Sequence, residues 1–213
     1  MTSPREKWKF KGVIYDCDGV LFDSFEANKK LYNDLCSLAG RYPLGEEEAR
    51  YVHSHTVHEA IHRIFGGQDG LEKKAQELLQ QKIDLREYIR FLKMEPCLFQ
   101  MLNLLKAHGI KRVINTNRTT SMKHVLERFG LSPFFDMVVT ALDVKNPKPD
   151  PESVLKILQA FNFQKEDVVF IGDSEVDQQT AESSGVRFIA YRNGEIRGDA
   201  HIDNHLDLLS FIF

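Results

Sequence analysis

The chain alternates between short apolar runs and longer segments with helical periodicity. Apolar, β-branched runs predict buried strands, and these are residues 13–15, 111–115, 137–140, 168–171 and 186–190. Helical patterns over the second half of the chain cover residues 98–108, 119–129, 151–161 and 173–184. Apolar strands that alternate with helices are typical of a parallel sheet with both faces covered. We therefore predict an α/β fold, with the run at 186–190 as its last strand.

A long segment near the start differs from this pattern because it contains no convincing strand. Residues 25–92 carry Leu, Ile and Phe at helical spacing, with glycines between the helical pieces. Two apolar stripes are predicted, formed by Leu31, Leu35 and Leu38 and by Leu71, Leu78, Leu79 and Ile83. We interpret the segment as a helical cap domain over 23–94, inserted into a core domain over 1–22 and 95–213. Hinges are expected near 22–25 and 93–96.

Composition limits the functional classes without selecting one. The 213 residues carry a formal net charge of −3, so no basic field indicates nucleic-acid binding. No apolar run is long enough to cross a bilayer, and the N-terminus lacks the apolar core of a signal peptide. The 3 widely spaced cysteines are typical of a reducing compartment. We expect a cytoplasmic protein that binds neither nucleic acid nor membrane, with a monomer favoured over a homodimer.

Two carboxylates follow the first predicted strand directly. Asp16 and Asp18 lie two positions apart and precede Gly19, where the strand ends. Ligands bind at the carboxyl ends of strands in open α/β sheets. Two acids so close repel each other unless a cation or a shared proton relieves them. The pair therefore indicates a metal site, a covalent Asp nucleophile, or both.

Three further segments place polar groups at predicted strand or helix ends. They are Thr116-Asn117, the stretch from Asn146 to Asp150 that contains Lys148, and the run from Gly172 to Asp177 that contains Asp173. Together with the first pair they supply carboxylates, a hydroxyl, an amide and a lysine. Mg²⁺ prefers hard oxygen ligands, and phosphoryl transfer depends on charge neutralisation and positioning. The set therefore suits a phosphoryl group and a divalent cation.

With these four motifs in order, the chain resembles the haloacid dehalogenase superfamily, from about residue 11 to 193. The resemblance is to the branch with a helical cap, near phosphoglycolate phosphatases and β-phosphoglucomutases. It rests on the DxDGV run at 16–20 and the GDSxxD run at 172–177. It implies a Rossmann-like core, a Mg²⁺ cofactor and hydrolysis of a small phosphorylated metabolite. The cap is expected to close over the substrate and exclude water.

The resemblance also implies roles for individual residues. Asp16 is similar to the nucleophile that forms an aspartyl-phosphate, and Asp18 to the general acid and base whose main-chain carbonyl binds the metal. Thr116 and Asn117 resemble the groups that hydrogen-bond the phosphoryl oxygens; the Thr116 hydroxyl could also cap the next helix, and the two roles are compatible. Lys148 resembles the lysine that orients the nucleophile.

The remaining assignments concern a competing lysine, two further acids and an arginine. Lys145 competes with Lys148 for the lysine role, and Lys148 is preferred because its proline context matches the family. Asp173 resembles a metal ligand, whereas Asp177 either binds the metal or orients a residue that does. Arg118 could pair with a substrate carboxylate or phosphate, or lie on the surface.

Histidines in the cap segment leave further alternatives. They are His53, His55, His58 and His62. The i, i+4 spacing of His58 and His62 could hold a metal, but a polar helix face is the preferred interpretation. His53 or His55 could instead contact substrate. Val57 occupies the place where mutases carry a phosphate-binding arginine, which argues against the alternative of a phosphomutase; a non-catalytic phosphate-binding protein is the third possibility.

Overall fold

The chain folds into two compact units. A computed structural model describes residues 7–67 and 70–212, so residues 1–6 and 213 of the predicted core domain and 68–69 of the predicted cap domain lie outside the described residues. One unit ends at Phe22 and resumes at Met94, and the other spans Asp23–Lys93. Each unit has its own apolar core and is described by itself.

The strands of the described residues form one large and one small sheet. In chain order they are β1 (Gly12–Tyr15), β2 (Phe22–Asp23), β3 (Lys93–Met94), β4 (Lys111–Asn115), β5 (Met137–Val139), β6 (Val168–Gly172), β7 (Arg187–Tyr191) and β8 (Ala200–Ile202). The large sheet has the order β5-β4-β1-β6-β7-β8, with every described pairing parallel. β2 and β3 form a separate two-stranded sheet. The predicted α/β fold is confirmed.

Helices join the successive strands of the large sheet from β1 to β7, whereas residues 192–199, between β7 and β8, contain no helix. The α-helices are α1 (Phe25–Ala39), α2 (Glu46–Ser54), α3 (Val57–Phe65), α4 (Leu71–Lys82), α5 (Leu98–Ala107), α6 (Ser121–Phe129), α7 (Glu152–Phe161), α8 (Glu175–Ser184) and α9 (Leu209–Ile212). Short 3₁₀ helices cover Leu85–Phe91, Ser132–Phe134, Lys165–Asp167 and His205–Leu208. None of the described helices has the length and apolarity needed to cross a membrane.

The large sheet carries one strand more than the sequence predicts. β8 pairs in parallel with β7 at the edge, so the run at 186–190 is not the last strand. Its three residues are partly exposed Ala200, exposed His201 and buried Ile202. A strand this short, with one fully buried side chain, has too few apolar positions to show in the hydrophobic pattern.

The inserted unit is helical, with an apolar core of its own. Its buried residues include Tyr32, Leu35, Ile61 and Phe65, and the predicted stripe of Leu71, Leu78, Leu79 and Ile83 packs against them. Leu38, however, is 47% exposed. It lies in the last turn of α1, next to the end of the helix at Gly40, so this member of the predicted stripe is exposed.

Candidate active site

The site residues follow three adjacent strands of the large sheet. β4, β1 and β6 lie side by side and run parallel, so their carboxyl ends share one edge. Thr116 follows β4, Asp16 follows β1 and Asp173 follows β6. The main-chain amide of Asp16 donates to Ile171 O at 2.9 Å, which continues the pairing of the strands past β1. Polar groups distant in sequence therefore meet at one edge.

Lys148 links two buried carboxylates. Its Nζ donates to Asp16 Oδ1 at 2.7 Å and to Asp177 Oδ1 at 2.6 Å. The exposed fractions are 5% for Lys148, 7% for Asp16 and 0% for Asp177. The ammonium group also lies 5.5 Å from the centre of the Phe170 ring. Lys148 thus supplies a buried positive charge between two acids, the arrangement in which buried ion pairs persist.

Asp177 is fixed by the start of α8. Its Oδ2 accepts hydrogen bonds from Ser174 Oγ at 2.6 Å and from the main-chain amides of Asp173 and Ser174 at 3.3 Å each. The Ser174 hydroxyl in turn accepts from the amide of Asp177, so the two residues form a capping box. Both oxygens of Asp177 therefore already have donors from the protein.

Two glycines make room for the acids. A Cβ atom at Gly172 would overlap the side chain of Asp177, and one at Gly19 would overlap the carboxylate of Asp173. Gly19 also has a φ of 78°, in the left-handed region that favours glycine. The glycine of the DxDG pattern is therefore required for two reasons: it forms the turn, and it leaves space for the carboxylate of Asp173, more than 150 residues away along the chain.

Burial and mutual repulsion act on the acids together. Burial raises the pKa of Asp16 to about 7; the Asp177 charge adds to this and the Lys148 charge opposes it. Burial and the charges of Asp177 and Asp16 also raise the pKa of Asp173. For Lys148, burial acts to lower the pKa, and the adjacent carboxylates more than offset it, so its pKa is raised. The lysine is therefore charged, and the raised pKa values of Asp16 and Asp173 mean that ionising both acids costs free energy that a further cation would offset.

The Thr116–Arg118 loop contacts the other motifs. The Thr116 hydroxyl accepts from the amide of Arg118 at 3.1 Å, and Asn117 Nδ2 donates to Lys148 O at 3.0 Å. The sequence leaves open whether Arg118 contacts a substrate anion or lies on the surface. In the structure its Nε and Nη2 donate to the two carboxylate oxygens of Asp18, both at 2.6 Å. In the structure the guanidinium thus pairs with an acid of the protein.

One contact of the site was not predicted. Asn193 Nδ2 donates to the main-chain carbonyl of Asp173 at 2.8 Å, and so fixes the backbone that carries this acid. The sequence indicates this contact only weakly, because Asn193 is distinguished only as a polar residue two positions after the end of a strand. Lys145, the competitor of Lys148, is exposed, and its main-chain amide donates to Glu152.

Three of the four histidines singled out in the inserted unit have partners within that unit, and His58 is exposed. His53 Nδ1 lies 3.2 Å from Asn28 Nδ2, His55 stacks on Tyr51, and His62 Nδ1 lies 3.2 Å from Glu72 Oε2. Within the described parts of the chain, the group with metal-ligand spacing is formed by Asp16, Asp173 and Asp177.

These three acids fit a divalent cation. Each offers an oxygen, and the three oxygens lie within 4.8 Å of one another. When all three carboxylates are ionised, they and the ammonium of Lys148 carry a net formal charge of −2, which a divalent cation would neutralise. Among the residues that the structure describes, no hydrogen bond to the Asp173 carboxylate is found, whereas Asp177 has donors on both oxygens. Hard oxygens with excess negative charge are what Mg²⁺ binds.

Comparison with known proteins establishes the family. Residues 13–191 match the model of the haloacid dehalogenase-like hydrolases. The chain belongs to this family. The resemblance drawn from its four motifs is confirmed, and the haloacid dehalogenase-like fold accounts for the parallel sheet that carries them.

Relatives of this haloacid dehalogenase-like chain are named phosphatases. A phosphorylated carbohydrates phosphatase of Thermotoga maritima is 30% identical over 84% of this chain and 83% of its own. A phosphoglycolate phosphatase of Rhodobacter capsulatus is 26% identical over 85% and 84%. A crystal structure of a subfamily IA hydrolase of this superfamily from Geobacter sulfurreducens has a TM-score of 0.80 and 36% identity, and covers 99% of this chain and 100% of that one. The predicted enzyme class, a phosphoric monoester hydrolase, is confirmed.

Proposed function

We propose that the protein is a Mg²⁺-dependent phosphatase that hydrolyses a small phosphorylated metabolite through an aspartyl-phosphate on Asp16. The observation that carries the proposal is the buried contact of Lys148 with Asp16, beside the acid cluster of Asp173 and Asp177. The names of the relatives favour a phosphorylated carbohydrate or phosphoglycolate as substrate.

The cation would be held by the carboxylates of Asp16 and Asp173, with the main-chain carbonyl of Asp18 as the resemblance implies. We assign Asp177 an orienting role, because its two oxygens are engaged by Lys148 and by Ser174 with its neighbouring amides. These contacts support an orienting role over direct metal binding, the two roles that the sequence left open for Asp177. When bound, Mg²⁺ would neutralise charge on the acids and on the phosphoryl oxygens.

In the first step a carboxylate oxygen of Asp16 attacks phosphorus, and the ester P–O bond breaks. Asp18 gives its proton to the leaving oxygen, which departs as an alcohol. Lys148 donates to Oδ1 of Asp16, and so fixes the orientation in which this carboxylate meets the phosphorus. Lys148, Thr116 and Asn117 are the candidate donors to the phosphoryl oxygens.

In the second step a water molecule attacks the phosphorus of the aspartyl-phosphate. Asp18 accepts a proton from this water, and the bond between phosphorus and the Asp16 oxygen breaks. Inorganic phosphate leaves, Asp16 is restored as a carboxylate, and Asp18 again carries the proton for the next turnover. The net reaction consumes one water for each ester hydrolysed.

The first test is phosphate release from a panel of phosphorylated metabolites, with and without Mg²⁺. The panel holds phosphoglycolate, sugar phosphates, nucleoside monophosphates and β-glucose 1-phosphate, and the D16N variant is the control. We expect Mg²⁺-dependent release that D16N abolishes while its circular dichroism stays that of the wild type. Turnover by a folded D16N variant would exclude Asp16 as the nucleophile.

A wild-type protein that releases no phosphate from any panel member would overturn the phosphatase proposal. Isomerisation of β-glucose 1-phosphate with a sugar bisphosphate present would then test the phosphomutase alternative. Phosphate binding without either reaction would indicate a binding protein.

A further inference from the structure

Arg118 and Asp18 form a two-pronged ion pair across 100 positions of sequence. Arg118 Nε donates to Asp18 Oδ2, and Nη2 donates to Oδ1, each at 2.6 Å. The exposed fractions of the side chains are 15% for Arg118 and 30% for Asp18. Parallel donation from a guanidinium to both oxygens fixes the plane of a carboxylate as well as its distance.

The loop that carries Arg118 is held on both sides. Its main-chain amide donates to Thr116 Oγ1 at 3.1 Å, and its carbonyl accepts from the amide of Ala141 at 3.2 Å. Thr116 is 2% exposed, and its own amide donates to Val139 O at 3.0 Å. The guanidinium is therefore presented to Asp18 from backbone attached to β4 and β5.

We propose that Arg118 is a positioning residue that orients the Asp18 carboxylate for proton transfer; the inference rests on the proposed function. An unrestrained aspartate turns about two side-chain bonds, whereas a general acid must reach the leaving oxygen within hydrogen-bond distance. Because the guanidinium contacts both carboxylate oxygens, Arg118 fixes the direction in which Asp18 gives or accepts a proton.

The alternative is that Arg118 contacts the substrate directly. The two roles differ in their dependence on Asp18. A residue that acts through Asp18 has no effect once Asp18 has lost its acid group, whereas a residue that binds substrate keeps its effect. Loss of a substrate contact also raises KM, whereas loss of the orientation of a general acid lowers kcat.

The experiment compares R118M, R118K, D18N and the double variant R118M/D18N, with the exposed R128M as matched control. R118M removes the charge at similar length, and R118K keeps the charge but cannot bind both oxygens. The substrates are the best alkyl phosphate of the panel and p-nitrophenyl phosphate, whose leaving group is a weak base that needs no proton. Steady-state kcat and KM and the single-turnover burst of nitrophenolate are measured.

We expect R118M to lower kcat for the alkyl phosphate about 100-fold, with KM changed less than about 3-fold. The nitrophenolate burst should stay within about 3-fold of the wild type, because that step needs no general acid. R118K should lie closer to R118M than to the wild type. In the D18N background R118M should change kcat less than about 2-fold.

Three results would overturn the inference while the enzyme remains a phosphatase. The first is a kcat of R118M/D18N that falls by the product of the two single-variant effects. The second is an R118M variant whose KM rises while its kcat is unchanged. The third is a wild-type kcat in R118K. The first two would assign Arg118 to the substrate, and the third would show that charge suffices without the two-oxygen contact. A wild type without Mg²⁺-dependent phosphate release would instead overturn the proposed function, and this inference with it.

Discussion

Lys148 Nζ lies 2.6 Å from Asp177 Oδ1, a residue 29 positions further along the chain. The same ammonium binds Asp16, so a single cation serves two buried acids. We expect K148M to abolish turnover and to lower the free energy of unfolding by about 3–5 kcal/mol, because two buried carboxylates lose their partner. Urea denaturation without Mg²⁺ measures the loss. The control is K145M, at an exposed lysine three positions away; equal stability of the two variants would contradict the assignment.

Mg²⁺ should raise the melting temperature of the wild type. At a Mg²⁺ concentration about 100 times Kd, linkage predicts that the free energy of unfolding rises by about 2.7 kcal/mol. For a chain of this size, the melting temperature then rises by about 5–10 °C. D173N should remove most of this shift, and E175Q, at an exposed acid of the same helix start, should leave it unchanged. The pKa of Asp16 is raised to about 7, so protons compete with the cation below that pH. The shift should therefore be smaller at pH 6 than at pH 8; an unchanged shift in D173N would refute the ligand assignment.

Gly19→Ala should impair the response to Mg²⁺. The added methyl group would overlap the carboxylate of Asp173, in addition to the cost of a φ of 78°. Gly40 is a matched control, because its φ is 79° and a Cβ there meets no atom within 4 Å. Both substitutions should cost about 1–2 kcal/mol of stability through backbone conformation. Only G19A should lower kcat and weaken the Mg²⁺-dependent melting shift, and equal losses in G40A would rule out the steric explanation.

His205 makes stability depend on pH. It is 1% exposed, its Nε2 lies 2.9 Å from Val20 O, and its ring stacks on Tyr191. Burial lowers its pKa to about 4. The unfolded chain, with a histidine pKa near 6.5, therefore binds more protons between pH 6.5 and 4. Stability from this group is complete above about pH 6.5, and about 3 kcal/mol is lost as the pH falls to 4.

The H205Q variant tests this dependence, because glutamine can still donate to Val20 O and cannot become charged. Its free energy of unfolding, measured by urea at several pH values, should fall less steeply than that of the wild type between pH 6.5 and 4. H58Q, at an exposed histidine, should follow the wild type. Parallel curves for wild type and H205Q would show that His205 is not the source of the acid sensitivity.

The sequence was sufficient to predict the sheet and the residues at its edge. Strand runs, helix periodicity and the position of Asp16 and Asp173 directly after strands are local properties, visible without knowledge of packing. Because parallel strands bring their carboxyl ends together, these residues could be expected to meet. β8 could not be predicted, since an edge strand of three residues buries too little to leave a pattern.

The tertiary structure alone revealed which polar groups bind each other. Arg118 has the same sequence context whether it faces a substrate or Asp18, and a contact of 2.6 Å depends on the relative placement of β1 and the loop after β4. The engagement of both Asp177 oxygens and the contact of Asn193 with the backbone of Asp173 likewise depend on three-dimensional packing. Periodicity identifies the face on which a side chain lies. The hydrogen-bond partner follows from distances and directions that only the folded chain defines.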